Sequence, residues 1–494
     1  MRQVLILNPP SPPGPWYFQK DRAAGLGTAA PLRPKRGRPA PLAPLDLAQI
    51  AGFALDAGWQ VTVHDAVAFD HDAVQALAAL PEVAPDLILI RLALFSLESD
   101  LAFADAVKAR HPGSQVWLWG NVIHFTGKDW AARSQADAVV FGEPEAVLLP
   151  YFRSGTDRGV VPLADMGPDW RAGWTQQKEL TDIPLPAWHL LPLARYAPDG
   201  DIRRLVLHLQ SSHGCSVACS MCPYFVLQGR YRQHELARVL AELRYLRSLG
   251  VEHVQFRDAN ITERADLPRA MAEALIAEPL GLTFTMETAL ENVPEADLRL
   301  YHRAGLRGLI TGIESADPAT LALINQNPDW ADPIARNLAI CAELGVDVTT
   351  MYIVGFPHDT WASIAATVEL AKQHRSRHYS VSVMTPYHGT PYRSQALANG
   401  FVQPDAPYHT YTGFTAMGGT HGMTAAEVDA AFRFAHTELS LHSRRHHPPA
   451  GVAAQVDHWL RFAWHWGYSA PQRLSVRWKA RRQVRIPGAV PHAG

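Results

Sequence analysis

The chain has 494 residues, a formal charge of −2 at neutral pH and four cysteines. That length allows two to four domains, and the balanced charge makes no global case for nucleic acid or an anionic membrane as partner. An apolar fraction of 47% with 19% charged residues is a globular mixture, and no apolar run reaches the roughly 18 residues of a membrane span.

Residues 4–7, Val-Leu-Ile-Leu, read as a buried strand ending at Asn8-Pro9-Pro10. The run is too short for a signal peptide's apolar core, so a cytoplasmic protein is expected. Residues 11–43 are rich in Pro, Gly and Arg and read as a long loop. A helix over 44–58 stops at Gly58. Strands follow at 60–64, 87–90, 116–119 and 138–141, with a helix over 101–110. Strands alternating with helices predict a doubly wound α/β domain over residues 1–150, its parallel sheet covered on both faces. The strand ends Asn8, Asp65, Arg91, Gly120 and Gly142 then share one edge, where open α/β sheets bind ligands.

Residues 151–200 read as a linker, with a Pro-rich connector at Asp182-Ile183-Pro184-Leu185-Pro186-Ala187-Trp188. The alternation restarts over residues 201–400. Strands are predicted at 205–210, 252–256, 282–287, 308–313, 346–354 and 379–384. Helices are predicted at 234–249, 264–276, 295–304, 331–344 and 360–374. This is the pattern of a partial (β/α)6 TIM-like barrel, whose ligands sit at the C-terminal strand ends. Those ends carry Asp258 and Asn260, Glu287, Glu314 and Ser315, and Gly355. Residues 401–494 read as a mainly helical C-terminal region. It has a helix pattern over 424–442, then His446 and His447, then an aromatic helix around Trp459, Phe462, Trp464 and Trp466. A basic tail follows, with Arg473, Arg477, Lys479, Arg481, Arg482 and Arg485, most simply a solvated, frayed end. As a functional alternative, such a tail could meet an acidic electron donor or a phosphorylated substrate.

The most specific stretch is His213-Gly214-Cys215-Ser216-Val217-Ala218-Cys219-Ser220-Met221-Cys222, a C-x3-C-x2-C loop after the first barrel strand. Short gaps let the chain turn and point successive thiolates at one iron–sulfur cluster. Three local ligands on a 4Fe-4S cubane leave one iron open for a substrate or cofactor. Structural zinc on the three cysteines and His213 is the bland alternative, although no second C-x2-C knuckle is present. Cys341, in a helical pattern, reads as a small core residue.

The loop resembles the signature of the radical S-adenosylmethionine (SAM) enzymes. Met221 stands where that family usually has an aromatic residue, and His358-Asp359-Thr360 stands where it often has Gly-Glu-Thr. The resemblance implies SAM on the free iron, cleaved by one electron to a 5′-deoxyadenosyl radical. It implies SAM contacts from Asp258, Asn260, Glu287, Glu314, Ser315 and Gly355, with Asp258 at the amino group. The first 150 residues resemble the cobalamin-binding domain that precedes one large radical SAM class. The matching features are Leu7-Asn8-Pro9-Pro10, Pro44-Leu45, Ala57-Gly58-Trp59, Gly120-Asn121 and Gly142-Glu143-Pro144-Glu145. This implies a cobalamin site involving Asn8, Arg91, Gly120, Asn121, Gly142, Glu143 and Glu145. The D-x-H-x-x-G motif of methionine-synthase-type cobalamin domains is missing from the sequence, which leaves Arg91 and its neighbours as candidates beneath the cobalt.

The resemblance covers residues 1 to about 400. It implies a cobalamin-dependent methyltransferase. The deoxyadenosyl radical takes hydrogen from an unactivated carbon, which then receives the methyl group of methylcobalamin; a second SAM restores it. Such a C–H bond has no useful acidity, so general-base catalysis cannot reach it, and the cofactors carry the chemistry. A small organic substrate and a reducing donor such as flavodoxin or ferredoxin are expected. Two alternatives stay open: a non-methylating cyclase or rearrangement enzyme of the same architecture, such as a porphyrin ester cyclase, and a non-catalytic zinc-stabilised binding module.

Overall fold

A computed structural model describes residues 1–12, 16–19, 28–31, 41–126, 130–166, 174–326, 331–374, 376–448 and 479. The chain divides into two compact units. One contains Met1–Ser216, Pro223–Phe284 and Pro407–Thr412, and the other Val217–Cys222, Thr285–Ala406 and Gly413–Gly494.

The first unit begins with strand β1 (Gln3–Asn8), followed by a short antiparallel pair, β2 (Trp16–Gln19) and β3 (Thr28–Pro31), inside the stretch read as loop. The Gly and Pro content of 11–43 hides this hairpin, because eight paired residues give too short a pattern to rise above it. Then come α1 (Leu45–Asp56), β4 (Gln60–Asp65), α2 (Ala73–Ala78), β5 (Leu87–Arg91), α3 (Leu97–Arg110), β6 (Gln115–Trp119), α4 (Val122–Phe125), β7 (Ala138–Val140), α5 (Pro144–Ser154) and β8 (Val160–Pro162). The sheet order is β4-β1-β5-β6-β7-β8. The first five strands are parallel and β8 is antiparallel to β7. The parallel sheet is as expected; the antiparallel edge strand lies within the stretch read as linker.

The central strands β1 and β5 are unbroken apolar runs buried on both faces, as helix-covered parallel strands must be. Edge strand β4 alternates exposed and half-buried positions. One core cluster joins Val4 and Ile6 of β1, Ile50 and Phe53 of α1, Leu89 of β5, Trp117 of β6 and Leu148 of α5. Helix α5 opens with Pro144 as its first residue and closes on Gly155 in the left-handed region, the usual asymmetry of helix ends. The Pro-rich connector packs on α1. Ala187 N donates to Ala48 O at 2.7 Å, and a side chain at Gly52 would strike the Leu185 carbonyl.

The chain continues with α6 (Leu193–Tyr196), β9 (Val206–Leu209), β10 (Ser212–His213), α7 (Pro223–Gln228), β11 (Arg232–Gln233), α8 (Leu236–Ser248), β12 (His253–Phe256) and α9 (Asp266–Ala277). Strand β12 pairs with β9 in parallel, and β10 with β11 antiparallel. Strand β13 (Thr283–Glu287) starts in this unit, where Thr283 N donates to Glu252 O at 3.0 Å.

In the second unit lie α10 (Glu295–Ala304), β14 (Leu306–Glu314), α11 (Pro318–Leu323), α12 (Ala331–Leu344), β15 (Asp347–Val354), α13 (Trp361–His374), β16 (His378–Val383), α14 (Pro391–Ala398) and α15 (Ala425–His446). Strands β14, β15 and β16 are parallel neighbours, with a register shift between Gly312 and Glu314. Thr288 N donates to Ile310 O at 3.0 Å, so the end of β13 lies beside β14. The six β/α units thus stand where the hydrophobic periodicity predicts them. Helix α15 starts with a reciprocal capping box between Thr424 and Glu427 and packs on β16 and α13. Cys341 is a buried core residue of α12, and burial pushes its thiol up to about 12. The aromatic helix around Trp459 to Trp466 and the arginines of the tail lie outside the described residues; Lys479 sits over the Trp361 ring. No helix among the described residues is long and apolar enough to cross a membrane.

Gly120 terminates β6 with φ +136°, and a Cβ there would strike the Leu92 carbonyl. Gly120→Ala is therefore expected to destabilise the protein by about 1–3 kcal/mol in chemical denaturation. Gly113→Ala, on a residue with no positive φ and open space around it, is expected to stay within about 0.5 kcal/mol.

Candidate cofactor-binding site

Parallel pairing aligns the strand ends of the first sheet, with Asn8 opposite Asp65 and Arg91 opposite Trp119. Beyond that edge lies a cleft of about 640 Å³ including its open mouth, wholly within the first unit. Gly120, Asn121, Gly142, Glu143 and Glu145 line it together with Gln210, His213 and Gln228. Five of the seven residues expected at a cobalamin site therefore meet in one cleft.

Asn8 and Arg91 are set back from it. Asn8 donates through its amide to Asp65 at 2.7 Å, and the Tyr196 hydroxyl and two backbone N–H groups also bond that carboxyl. Burial pushes the Asp65 carboxyl up, and these four hydrogen bonds oppose the shift. Arg91 is buried, 2.7 Å from Asp46 and stacked 5.8 Å from the centre of the Trp119 ring. Both of those partners line the cleft, so Arg91 supports the wall from behind.

Glu143 and Glu145 differ although they are two residues apart. Glu143 accepts both arms of Arg232, at 2.8 and 2.9 Å, and the Gln177 N–H at 2.8 Å. Glu145 is buried, and burial together with the Glu143 charge pushes its carboxyl up to about 7. Glu143 is thus anchored by Arg232, while burial favours the neutral form of the cleft-lining Glu145.

At the end of β12, Asp258 is fully buried. It accepts hydrogen bonds from the Ser211 N–H, the Ser211 hydroxyl at 2.8 Å and the Ser212 hydroxyl. Burial raises it to about 6 despite them. Asn260 is buried beside it in sequence. His213 is buried and held neutral, pushed down to about 3 by burial and by the Arg232 and Arg238 charges.

The cysteine loop bends at Gly214 and Ala218, with φ of +78° and +51°. All four cysteines of the chain are thiols, and Cys215, Cys219 and Cys222 are half-buried while Cys341 is buried. In the first unit, Cys215 N donates to Gly229 O at 3.1 Å. In the second, Gln326 donates to Cys219 Sγ at 3.0 Å, Cys222 N to Cys219 O at 3.0 Å and Asn325 to Ala218 O at 3.3 Å. Among the described residues no group of three His, Cys, Asp or Glu side chains is already gathered tightly enough to hold a metal ion. The loop therefore offers its donors by spacing and reach.

Also in the second unit, Glu314 ends β14 in the left-handed region, φ +64°, with its carboxylate folded back over Gly312, where a Cβ would meet it. Burial and the nearby Glu287 push it up to about 8. Ser315 is buried, and its hydroxyl accepts from Asp317 N at 3.1 Å. Gly355 has φ +90°, and the Gly355 and Phe356 N–H groups both donate to Asp359, at 2.8 and 3.0 Å. Gly355 opens on a small cavity with Met384, Tyr392, Phe401, Met417 and Val428.

Sequence reasoning missed Arg232, Gln228 and Asp359. The first two lie outside any recognised motif, and only the hairpin of β10 and β11 brings Arg232 opposite His213. Asp359 had a signal: it follows the Gly-Phe-Pro turn by two residues, where a short acid can cap the turn's N–H groups.

Residues 209–371 match the family model described as the Radical SAM superfamily. The chain is 24% identical over 374 residues to the uncharacterized methyltransferase PH0819 of Pyrococcus horikoshii, covering 73% of this chain and 79% of that protein. It is 27% identical over 357 residues to the anaerobic magnesium-protoporphyrin IX monomethyl ester cyclase of Synechocystis sp., covering 66% of this chain and 63% of the cyclase. In fold it resembles the cobalamin-dependent S-adenosylmethionine radical enzyme OxsB, solved with aqua-cobalamin and S-adenosylmethionine bound. The TM-score is 0.68 at 12% identity, covering 94% of this chain and 71% of that one. Residues 209–371, which include the cysteine loop, thus form a Radical SAM domain, and the chain has the fold of a cobalamin-dependent S-adenosylmethionine radical enzyme.

Proposed function

We propose that this protein is a cobalamin-dependent radical SAM methyltransferase that places a methyl group on an unactivated carbon of a small organic molecule. The observation that carries the reading is the C-x3-C-x2-C loop inside the region matching the Radical SAM superfamily. When bound, the 4Fe-4S cluster, SAM and cobalamin supply the electron, the radical and the methyl carrier.

The residues present fit these groups. Cys215, Cys219 and Cys222 are soft thiol donors in one short loop, suited to iron–sulfur ligation. His213, the fourth member of a zinc set, stands beside two arginine charges, which disfavour a dication. The first-unit cleft gathers the carboxamides of Gln49, Asn121, Gln210 and Gln228, matching a corrin rimmed with amide side chains. Asn121, Glu145, Gly120 and Gly142 would hold that ring, with Arg91 bracing Asp46 and Trp119 from behind and Asn8 fixing Asp65 at the same sheet edge. Glu314, Ser315 and Glu287 would orient the polar end of SAM, Asp258 and Asn260 its amino acid part, and Gly355 would admit adenine against a backbone that Asp359 keeps in place. The protein's own work is to bind, to orient and to exclude water from a radical.

A second reading, a ring-forming enzyme on the same architecture, is favoured by the likeness to the ester cyclase. Product mass separates them: methylation adds one methyl, cyclisation does not. A cytoplasmic setting and a flavodoxin- or ferredoxin-like reductant belong to the proposal.

Anaerobic reconstitution with iron, sulfide and hydroxocobalamin, followed by gel filtration, is expected to give about four irons per chain with cobalamin retained. Zinc without iron would sink the proposal; iron without cobalamin would remove methyl transfer through cobalt. Cys215→Ala, Cys219→Ala and Cys222→Ala are each expected to abolish most iron retention, whereas Cys341→Ala leaves it intact.

Glu314 gives a pH prediction. Its carboxyl holds its proton up to about pH 8 in the fold but releases it from about 4.5 when unfolded. The folded state therefore binds the extra proton, and stability falls as pH rises through that window. Glu314→Gln is expected to flatten the fall in melting temperature between pH 5 and 8. An equal slope in both proteins would mean that Glu314 titrates normally.

A further inference from the structure

Glu143 lines the first-unit cleft and caps the start of α5 without using its side chain on that helix. Its carboxylate is gripped by both arms of Arg232 in a buried fork, with side-chain exposures of 5% for Glu143 and 13% for Arg232. Arg232 also donates to the backbone carbonyls of Gln177 and Gln228. Gln228 in turn accepts the Gly214 N–H on its side-chain oxygen at 3.1 Å, and the next carbonyl, Gly229 O, accepts the Cys215 N–H at 3.1 Å. Strand pairing sets His213 opposite Arg232. Gly214 leaves no room for drift: with φ +78°, a Cβ there would meet the carbonyls of Gly229 and Arg230. Charge-assisted and backbone hydrogen bonds, joined through the backbone of Gln228 and Gly229, thus connect the cleft wall to the first cysteine.

We propose that the Glu143–Arg232 ion pair is a positioning clamp that ties the cofactor cleft of the first unit to the backbone of Cys215. In this role Glu143 is a structural anchor more than a ligand contact, and Arg232 is a positioning residue. A bidentate guanidinium–carboxylate pair fixes direction as well as distance, and lysine, a point charge on a flexible stem, cannot reproduce it. The clamp also explains why Gln228 and His213 line the cleft: the loop leading into the first thiolate is part of its wall. The inference rests on the cluster reading above.

The test uses full-length protein, reconstituted anaerobically, as wild type, Arg232→Lys and Gln228→Met. Arg232→Lys keeps the charge and loses the fork; Gln228→Met keeps the ion pair and loses the Gly214 contact. Thermal melts confirm that each is folded. Three quantities are read: the electron paramagnetic resonance spectrum of the reduced cluster, the rate of iron loss in air, and the affinity for hydroxocobalamin without turnover. Both variants are expected to lose iron severalfold faster, to show a shifted or broadened cluster signal and to bind hydroxocobalamin severalfold more weakly, Gln228→Met because it also removes a carboxamide from the cleft. A merely structural role would lower the melting temperature and leave the signal of the surviving cluster unchanged. Wild-type spectra and iron-loss rates in both folded variants would overturn the clamp alone. A wild-type chain that takes up no iron would overturn the cluster reading and the clamp with it.

Discussion

Parallel strand pairing is the constraint on which the site depends. A parallel ladder fixes strand direction, so the C-terminal ends of the five parallel strands of the first sheet arrive at one edge. The register then decides which side chains meet there. Asn8 falls opposite Asp65 and Arg91 opposite Trp119, and the chain turns at Gly120 and Gly142 because a side chain at either would hit a neighbouring carbonyl. The apolar runs of β1 and β5 make this sheet a rigid platform, since both faces are packed. Residues at its edge inherit that rigidity, which a site holding a large cofactor needs.

A second regularity is a set of acids withdrawn from solvent, wholly or in part, at strand ends, turns and a helix start. Asp65, Glu145, Asp258, Glu314 and Asp359 all have carboxyls pushed up, in each case chiefly by burial. Buried charge is costly, and such groups favour their neutral form or gather hydrogen bonds. Asp65, Asp258 and Asp359 gather them from neighbouring N–H and O–H groups, and Glu143 takes an arginine instead. Clusters of perturbed acids are more frequent at functional sites than elsewhere.

Much of this was legible in the sequence. The cysteine spacing, the apolar runs of β1 and β5, and the six β/α units of the barrel region are local patterns, visible wherever hydrophobic period and strand length agree. The order of Gly120-Asn121 and Gly142-Glu143 also pointed to the cleft. What stayed hidden was long-range or short. The β2–β3 hairpin sits in Pro- and Gly-rich chain. Helix α5 was masked by Pro144 and by Pro150 in its interior, and the antiparallel β8 has only three residues. The partnership of Glu143 with Arg232 spans 89 positions, and no local pattern reports such a pair.

Position at a strand end is therefore not the same as contact with a ligand. Asn8 ends β1, yet its amide is turned to Asp65; Arg91 ends β5, yet it braces Trp119 and Asp46 from behind. Conversely, Gln228 and His213 carry no motif of their own for the cleft and still line it. A strand-end polar residue has two uses in a buried edge: to meet the ligand or to hold the residue that does. Hydrogen-bonding capacity separates them. A carboxylate whose oxygens already accept three N–H donors, as Glu143 does, has little left to offer a ligand. A buried acid beside it that is pushed towards neutrality, as Glu145 is, can still donate or accept. The cleft is thus built from two layers, and the outer one gives the inner one its direction.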